Sequence, residues 1–131
     1  MTTRTRTDLL TTEQLWRLDQ ACLPVARAFG TCPYLVGTAG AGSAQSYRDV
    51  DVRLMLDDDE FARACPTRER WELLSLAVTA YLRDATGLPV DFQVQRAGEA
   101  NARFGDRPRN PLGTGRRTFA GGGDGTPPWA P

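Results

Sequence analysis

Three aspartates stand where carboxylates do metal chemistry. Asp49 and Asp51 lie two apart in the run from Arg48 to Leu56. Alternation there predicts a strand with Val50, Val52, Leu54 and Leu56 on one face and Asp49, Asp51 and Arg53 on the other. A later run, Val90 to Gln95, repeats the pattern, with Val90, Phe92 and Val94 alternating with Asp91, Gln93 and Gln95. Paired in one sheet, the two runs put Asp49, Asp51 and Asp91 on one face. Carboxylates gathered in this way repel one another, and a divalent cation relieves the repulsion. Two cations held by such acids can clamp both the attacking and the leaving oxygen of a phosphoryl displacement. An isolated Asp-x-Asp is ordinarily a solvated stripe. Two neighbouring features shift the reading towards a site: the matching strand around Asp91, and a glycine-rich segment leading into the first strand.

That segment runs from Val36 through Gly37, Thr38, Gly42 and Ser43 to Arg48. Exposed backbone amides and the Thr38 hydroxyl are suited to triphosphate oxygens. An Arg at position 48 suits either a phosphate or one of the acids.

Taken in order, these residues resemble the minimal nucleotidyltransferases of the DNA-polymerase-beta-like superfamily. Val36-Gly37-Thr38 takes the place of an apolar strand ending in Gly-Ser, Asp49-Val50-Asp51-Val52 is the acid-x-acid strand, and Val90-Asp91-Phe92 is the third acidic element. The likeness covers roughly residues 33–95, and the run from Tyr47 to Leu56 is also similar to a small actinobacterial and phage-type branch. The resemblance implies transfer of a nucleoside monophosphate from an NTP to a hydroxyl on a protein, an RNA or a small molecule. It implies Mg²⁺ or Mn²⁺ on Asp49, Asp51 and Asp91, and triphosphate contacts from Gly37, Thr38, Gly42, Ser43 and Arg48. Small members are often paired with a helical protein in toxin–antitoxin pairs, so a protein partner is a further expectation. Two rivals stay open. One is a non-catalytic nucleotide- or partner-binding module of the same fold, motivated by Thr38 in place of Ser and by a loop without basic residues. The other is an interaction protein that uses its Arg-rich tail on RNA or a partner chain.

The elements that must position these residues are legible from periodicity. Thr11 and Gln14 match a capping box, and the helix that follows carries Leu15, Leu18, Cys22, Val25, Ala26 and Phe29, with Pro24 placed to split it and Gly30 to stop it. Cys32 to Thr38 reads as a strand. Asp57 to Cys65 reads as a short helix whose acidic run caps its N-terminus. Thr67 caps a longer helix to about Thr86, with an apolar stripe of Trp71, Leu74, Val78, Tyr81, Leu82 and Ala85. Ala97 to Phe104 suggests one more short helix. The expected fold is α+β, a small mixed sheet of three to four strands backed by helices, over residues 11–104. Residues 1–10 read as an arm. Residues 105–131 read as an Arg-rich then Gly/Pro-rich disordered tail, since 9 of the 19 residues from Gly113 onward are Gly or Pro.

Composition narrows the classes. Acidic and basic residues balance at 16 each, so no global field points to DNA or a membrane. There is no His, which removes imidazole acid–base chemistry and imidazole metal sites. Cys22, Cys32 and Cys65 make neither a zinc signature nor a disulfide framework and read as small hydrophobes of a reducing cytoplasm. No apolar run is long enough to span a membrane.

Overall fold

The computed structural model describes residues 10–36, 49–98 and 110–115. Among them are helices α1 (Thr12–Ala21), α2 (Leu23–Phe29), α3 (Asp58–Ala64) and α4 (Arg68–Thr86). The strands are β1 (Tyr34–Val36), β2 (Val50–Leu56), β3 (Val90–Arg96) and β4 (Asn110–Pro111). They form one mixed sheet in the order β3-β2-β1-β4. β2 and β3 run parallel, joined by the crossover through α3 and α4, whereas β1 runs antiparallel to both β2 and β4.

Local chemistry accounts for the element ends. The Thr11 hydroxyl accepts from the Gln14 N–H at 3.0 Å, and the Gln14 side chain accepts from the Thr11 N–H at 2.9 Å, completing the capping box. Pro24 lacks an N–H and crowds the preceding turn, so the first helix breaks at Cys22 into α1 and α2. The Asp57 carboxylate accepts from the Glu60 N–H at 2.8 Å, which satisfies one free donor at the start of α3. That backbone hydrogen bond holds the Asp57 carboxyl below its usual range.

The strands alternate as their sequences predict. Val50, Val52, Leu54 and Leu56 on β2 and Val90, Phe92 and Val94 on β3 are buried. They meet Leu18 from α1, Cys22 from the junction, Val25 from α2 and Leu82 from α4 in one core. On α4, Leu82 is buried and Trp71, Leu74 and Val78 pack against that core. Tyr81, at 41% exposure, lies outside it. The tyrosine instead donates its hydroxyl proton to the Ala21 carbonyl at 2.7 Å.

Two expectations on the C-terminal side need correcting. The domain does not stop at residue 104, because Asn110–Pro111 pairs with β1 and Leu112 is fully buried. Gly113 and Thr114 belong to the fold as well. Gly113 has a φ of 73° and sits so close to α1 that a Cβ would lie 2.6 Å from the Cys22 carbonyl oxygen. Thr114 donates from both its N–H (3.2 Å) and its hydroxyl (3.4 Å) to the Asp19 carboxylate. Leu10, assigned to the arm, is a core residue. Of the helix expected over 97–104, residues 97 and 98 are described and are helical, and the rest, with most of the Arg-rich tail, falls outside the described residues.

Cys22 and Cys65 are buried as expected, whereas Cys32 is half-buried, with its thiol 3.9 Å from the Gly113 carbonyl. Burial, reinforced by Asp19, pushes the Cys22 thiol up to about 12. Thiolate is the reactive form. Native protein treated with iodoacetamide at pH 8 is therefore expected to carry no label on Cys22, and peptide mass mapping checks this. Rapid native labelling of Cys22 would contradict its burial.

Candidate functional site

Parallel pairing in this register sets Asp51 directly beside Asp91. Neighbouring strands lie about 4.8 Å apart, so the two carboxylates rise side by side from the polar face of the sheet. The antiparallel pairing of β1 extends the line, since Val36, the last residue of β1, is the register partner of Asp51. The chain thus leaves β1 for Gly37 and Thr38 at the level of the acid pair. Gly37, Thr38, Gly42, Ser43 and Arg48 themselves lie outside the described residues.

A guanidinium completes the arrangement. Arg53 lies two residues beyond Asp51 on the same face, and its side chain is only 11% exposed. It turns back across β2 and β3. Nη1 donates to the Asp91 carbonyl at 2.6 Å and to the Val52 carbonyl at 3.0 Å. Nη2 lies 3.4 Å from Asp91 Oδ2 and 3.7 Å from Asp51 Oδ1. The stronger contacts are thus to backbone oxygens, and the two carboxylates are held at longer ion-pair distance. The Asp51 side chain is 19% exposed and that of Asp91 is 38% exposed, so Asp91 is the more accessible of the two. Asp49, one residue before β2, is exposed. Among the described residues, no three His, Cys, Asp or Glu side chains are gathered as a metal-holding group. What the described residues bring together is two carboxylates and one guanidinium.

A divalent cation fits that donor set. Mg²⁺ takes oxygen ligands, is commonly held by one or two carboxylates, and fills its other positions with water and substrate phosphate. Asp51 and Asp91 supply such a pair.

Reading the strand alternation placed Arg53 on the acidic face without assigning it to the site. Its signal was its position two residues on from Asp51, where a long side chain can reach an acid on the next strand. Gln93 and Gln95 share the face, and Gln95 Oε1 is buried without a partner among the described residues. A cleft of about 650 Å³ lined by Phe61, Trp71, Arg68 and Arg96 opens at the other end of β3, five residues on from Asp91, and is separate from the acid pair. Comparison with protein-family models, curated proteins and solved structures finds no match for this chain. No described helix is long and apolar enough to cross a membrane.

Proposed function

We propose that this chain is a metal-dependent nucleotidyltransferase that moves a nucleoside monophosphate from an NTP to a hydroxyl acceptor. The observation that carries the reading is the Asp51–Asp91 register pair, on the polar face and level with the end of β1. Asp51 and Asp91 would hold Mg²⁺ or Mn²⁺, with Asp49 as a further oxygen donor from the start of β2. When bound, the ion supplies neutralisation of triphosphate charge. Gly37, Thr38, Gly42, Ser43 and Arg48 take the triphosphate in this reading. The acceptor hydroxyl attacks the α-phosphorus, its proton passes to Asp91, and the bond to pyrophosphate breaks. Arg53 holds the two carboxylates in place from beside the strands.

Incubation with each of the four labelled NTPs, Mg²⁺ or Mn²⁺, and a mixture of protein, RNA and small-molecule acceptors tests the proposal. Metal-dependent transfer of label from at least one NTP is expected, and absence of product from all four would refute it.

Arg53 favours one second reading, a non-catalytic nucleotide- or partner-binding module of the same fold. A guanidinium already beside both acids offsets their repulsion without a metal. Calorimetry separates the two, because heat of NTP–Mg²⁺ binding without turnover supports the module.

A further inference from the structure

We infer that the outward face of α4 is the contact surface of a homodimer, two copies packed antiparallel about Leu76 and Ala77. This inference does not rest on the proposed activity. The inward face of α4 carries Trp71, Leu74, Val78 and Leu82 to the core. On the opposite side Leu73 and Leu76 stand 68% and 67% exposed, with Ala77 and Ala80 exposed beside them. At 3.6 residues per turn these four side chains form one stripe. A helix apolar on two opposite faces is built to be covered on both. The positions Glu69, Leu73, Leu76, Ala80 and Arg83 follow the alternating four-and-three spacing of the seam between paired helices.

Charge placement points to a second copy of this chain as the occupant. Glu69 and Arg83 lie seven residues either side of Leu76, and Arg70 and Asp84 lie seven residues either side of Ala77. Each pair is fourteen residues apart, so both members share one flank of the stripe. A two-fold axis through its middle keeps each flank against the same flank of the other copy. Arg70 then faces Asp84 of the second copy along one side, and along the other Glu69 faces Arg83 of the second copy, whose Nε stays on its own Val90 carbonyl and leaves the Nη groups for the pair. Leu73 packs over the small Ala80 of the second copy, which lets the helices approach closely. The charge balance of 16 acidic and 16 basic residues leaves no net repulsion against self-association.

Sedimentation equilibrium of the full chain across 1–500 μM tests the inference, paired with circular dichroism to confirm folding. The expected mass is twice the 14.4 kDa of one chain. Leu76→Arg is expected to weaken the dimer about 30-fold or more, the effect of losing a central anchor, with an unchanged thermal transition. Arg70→Asp and Asp84→Arg should each weaken it, and the double variant should restore it, a rescue that nonspecific stickiness would not show. Ala77→Cys should cross-link to the same position of the second copy under mild oxidation. A monomer at all concentrations, or a dimer indifferent to Leu76→Arg and to the charge swaps, would overturn the inference, and the former would leave the face to a different partner.

Discussion

Asp51→Asn is expected to lower the proposed metal-dependent nucleotidyl transfer by on the order of 10³-fold, since a metal–carboxylate contact of the kind proposed supplies several kcal/mol to such a transition state. Asparagine keeps the shape of aspartate and removes its charge. Asp51 lies on β2 beside Asp91, partly buried at 19% side-chain exposure, so no exposed acid can take its place. Initial rates against Mg²⁺ concentration, with a thermal melt of the same sample, make the measurement. The melt should shift little, because Arg53 keeps its contacts to the Asp91 and Val52 carbonyls. Asp49→Asn is the companion variant. Asp49 is exposed at the start of β2, and a smaller loss there would make the register pair the centre of the site. An unchanged rate in Asp51→Asn would remove the carboxylates from the mechanism altogether.

Arg53→Met carries the largest expected cost to folding. Methionine replaces the buried stem but leaves two adjacent carboxylates without the Arg53 guanidinium. Removing one partner of a fully buried ion pair costs about 3–5 kcal/mol. Here Asp91 is 38% exposed and solvent screens part of the repulsion, so about 2 kcal/mol is expected. Anything that binds only the folded state restores stability by mass action. Millimolar Mg²⁺ or Mn²⁺ should therefore recover part of the loss in the variant and do less for the native chain. Urea unfolding with and without the ion checks both statements. A variant as stable as the native chain and insensitive to divalent ions would mean that the acid pair is neither strained nor a cation site.

Strong local patterns made most of the fold legible. Period-two alternation around Val52 and Phe92 identified β2 and β3 and their buried faces, and Thr11 with Gln14 marked the start of α1 through a cap that depends only on nearby residues. Register was less accessible. Nothing local to Asp51 or Asp91 dictates that they share one position, because that match depends on the length of the α3–α4 crossover and on how α4 seats against β3. The segment 110–115 was illegible for a different reason. Asn-Pro-Leu-Gly-Thr-Gly has the composition of a linker, yet Leu112 enters the core and Thr114 reaches Asp19, a contact made across 95 residues of sequence. Tyr81 and Ala85 were assigned to the inward stripe of α4 by spacing alone. Both are exposed: Tyr81 lies about 100° around the helix from Leu82, whereas Ala85 shares the inward side but stands in the last turn of α4, one residue before its end at Thr86.

The way α4 lies along β3 limits how this protein can meet others. Trp71 donates its indole proton to the Val94 carbonyl at 2.8 Å, and Arg83 Nε donates to the Val90 carbonyl at 2.8 Å. Between them the Thr79 hydroxyl accepts from the Phe92 N–H at 3.0 Å and donates to the Phe92 carbonyl at 3.2 Å. Three helix side chains thus occupy backbone groups that an incoming strand would need. At the opposite margin, β4 is two residues long and ends in Pro111, which has no N–H to offer. Exposed strand margins are where chains recruit one another into growing ribbons. With both described margins blunted, templated addition of a further strand, and the fibril growth that begins with it, finds no foothold on this sheet.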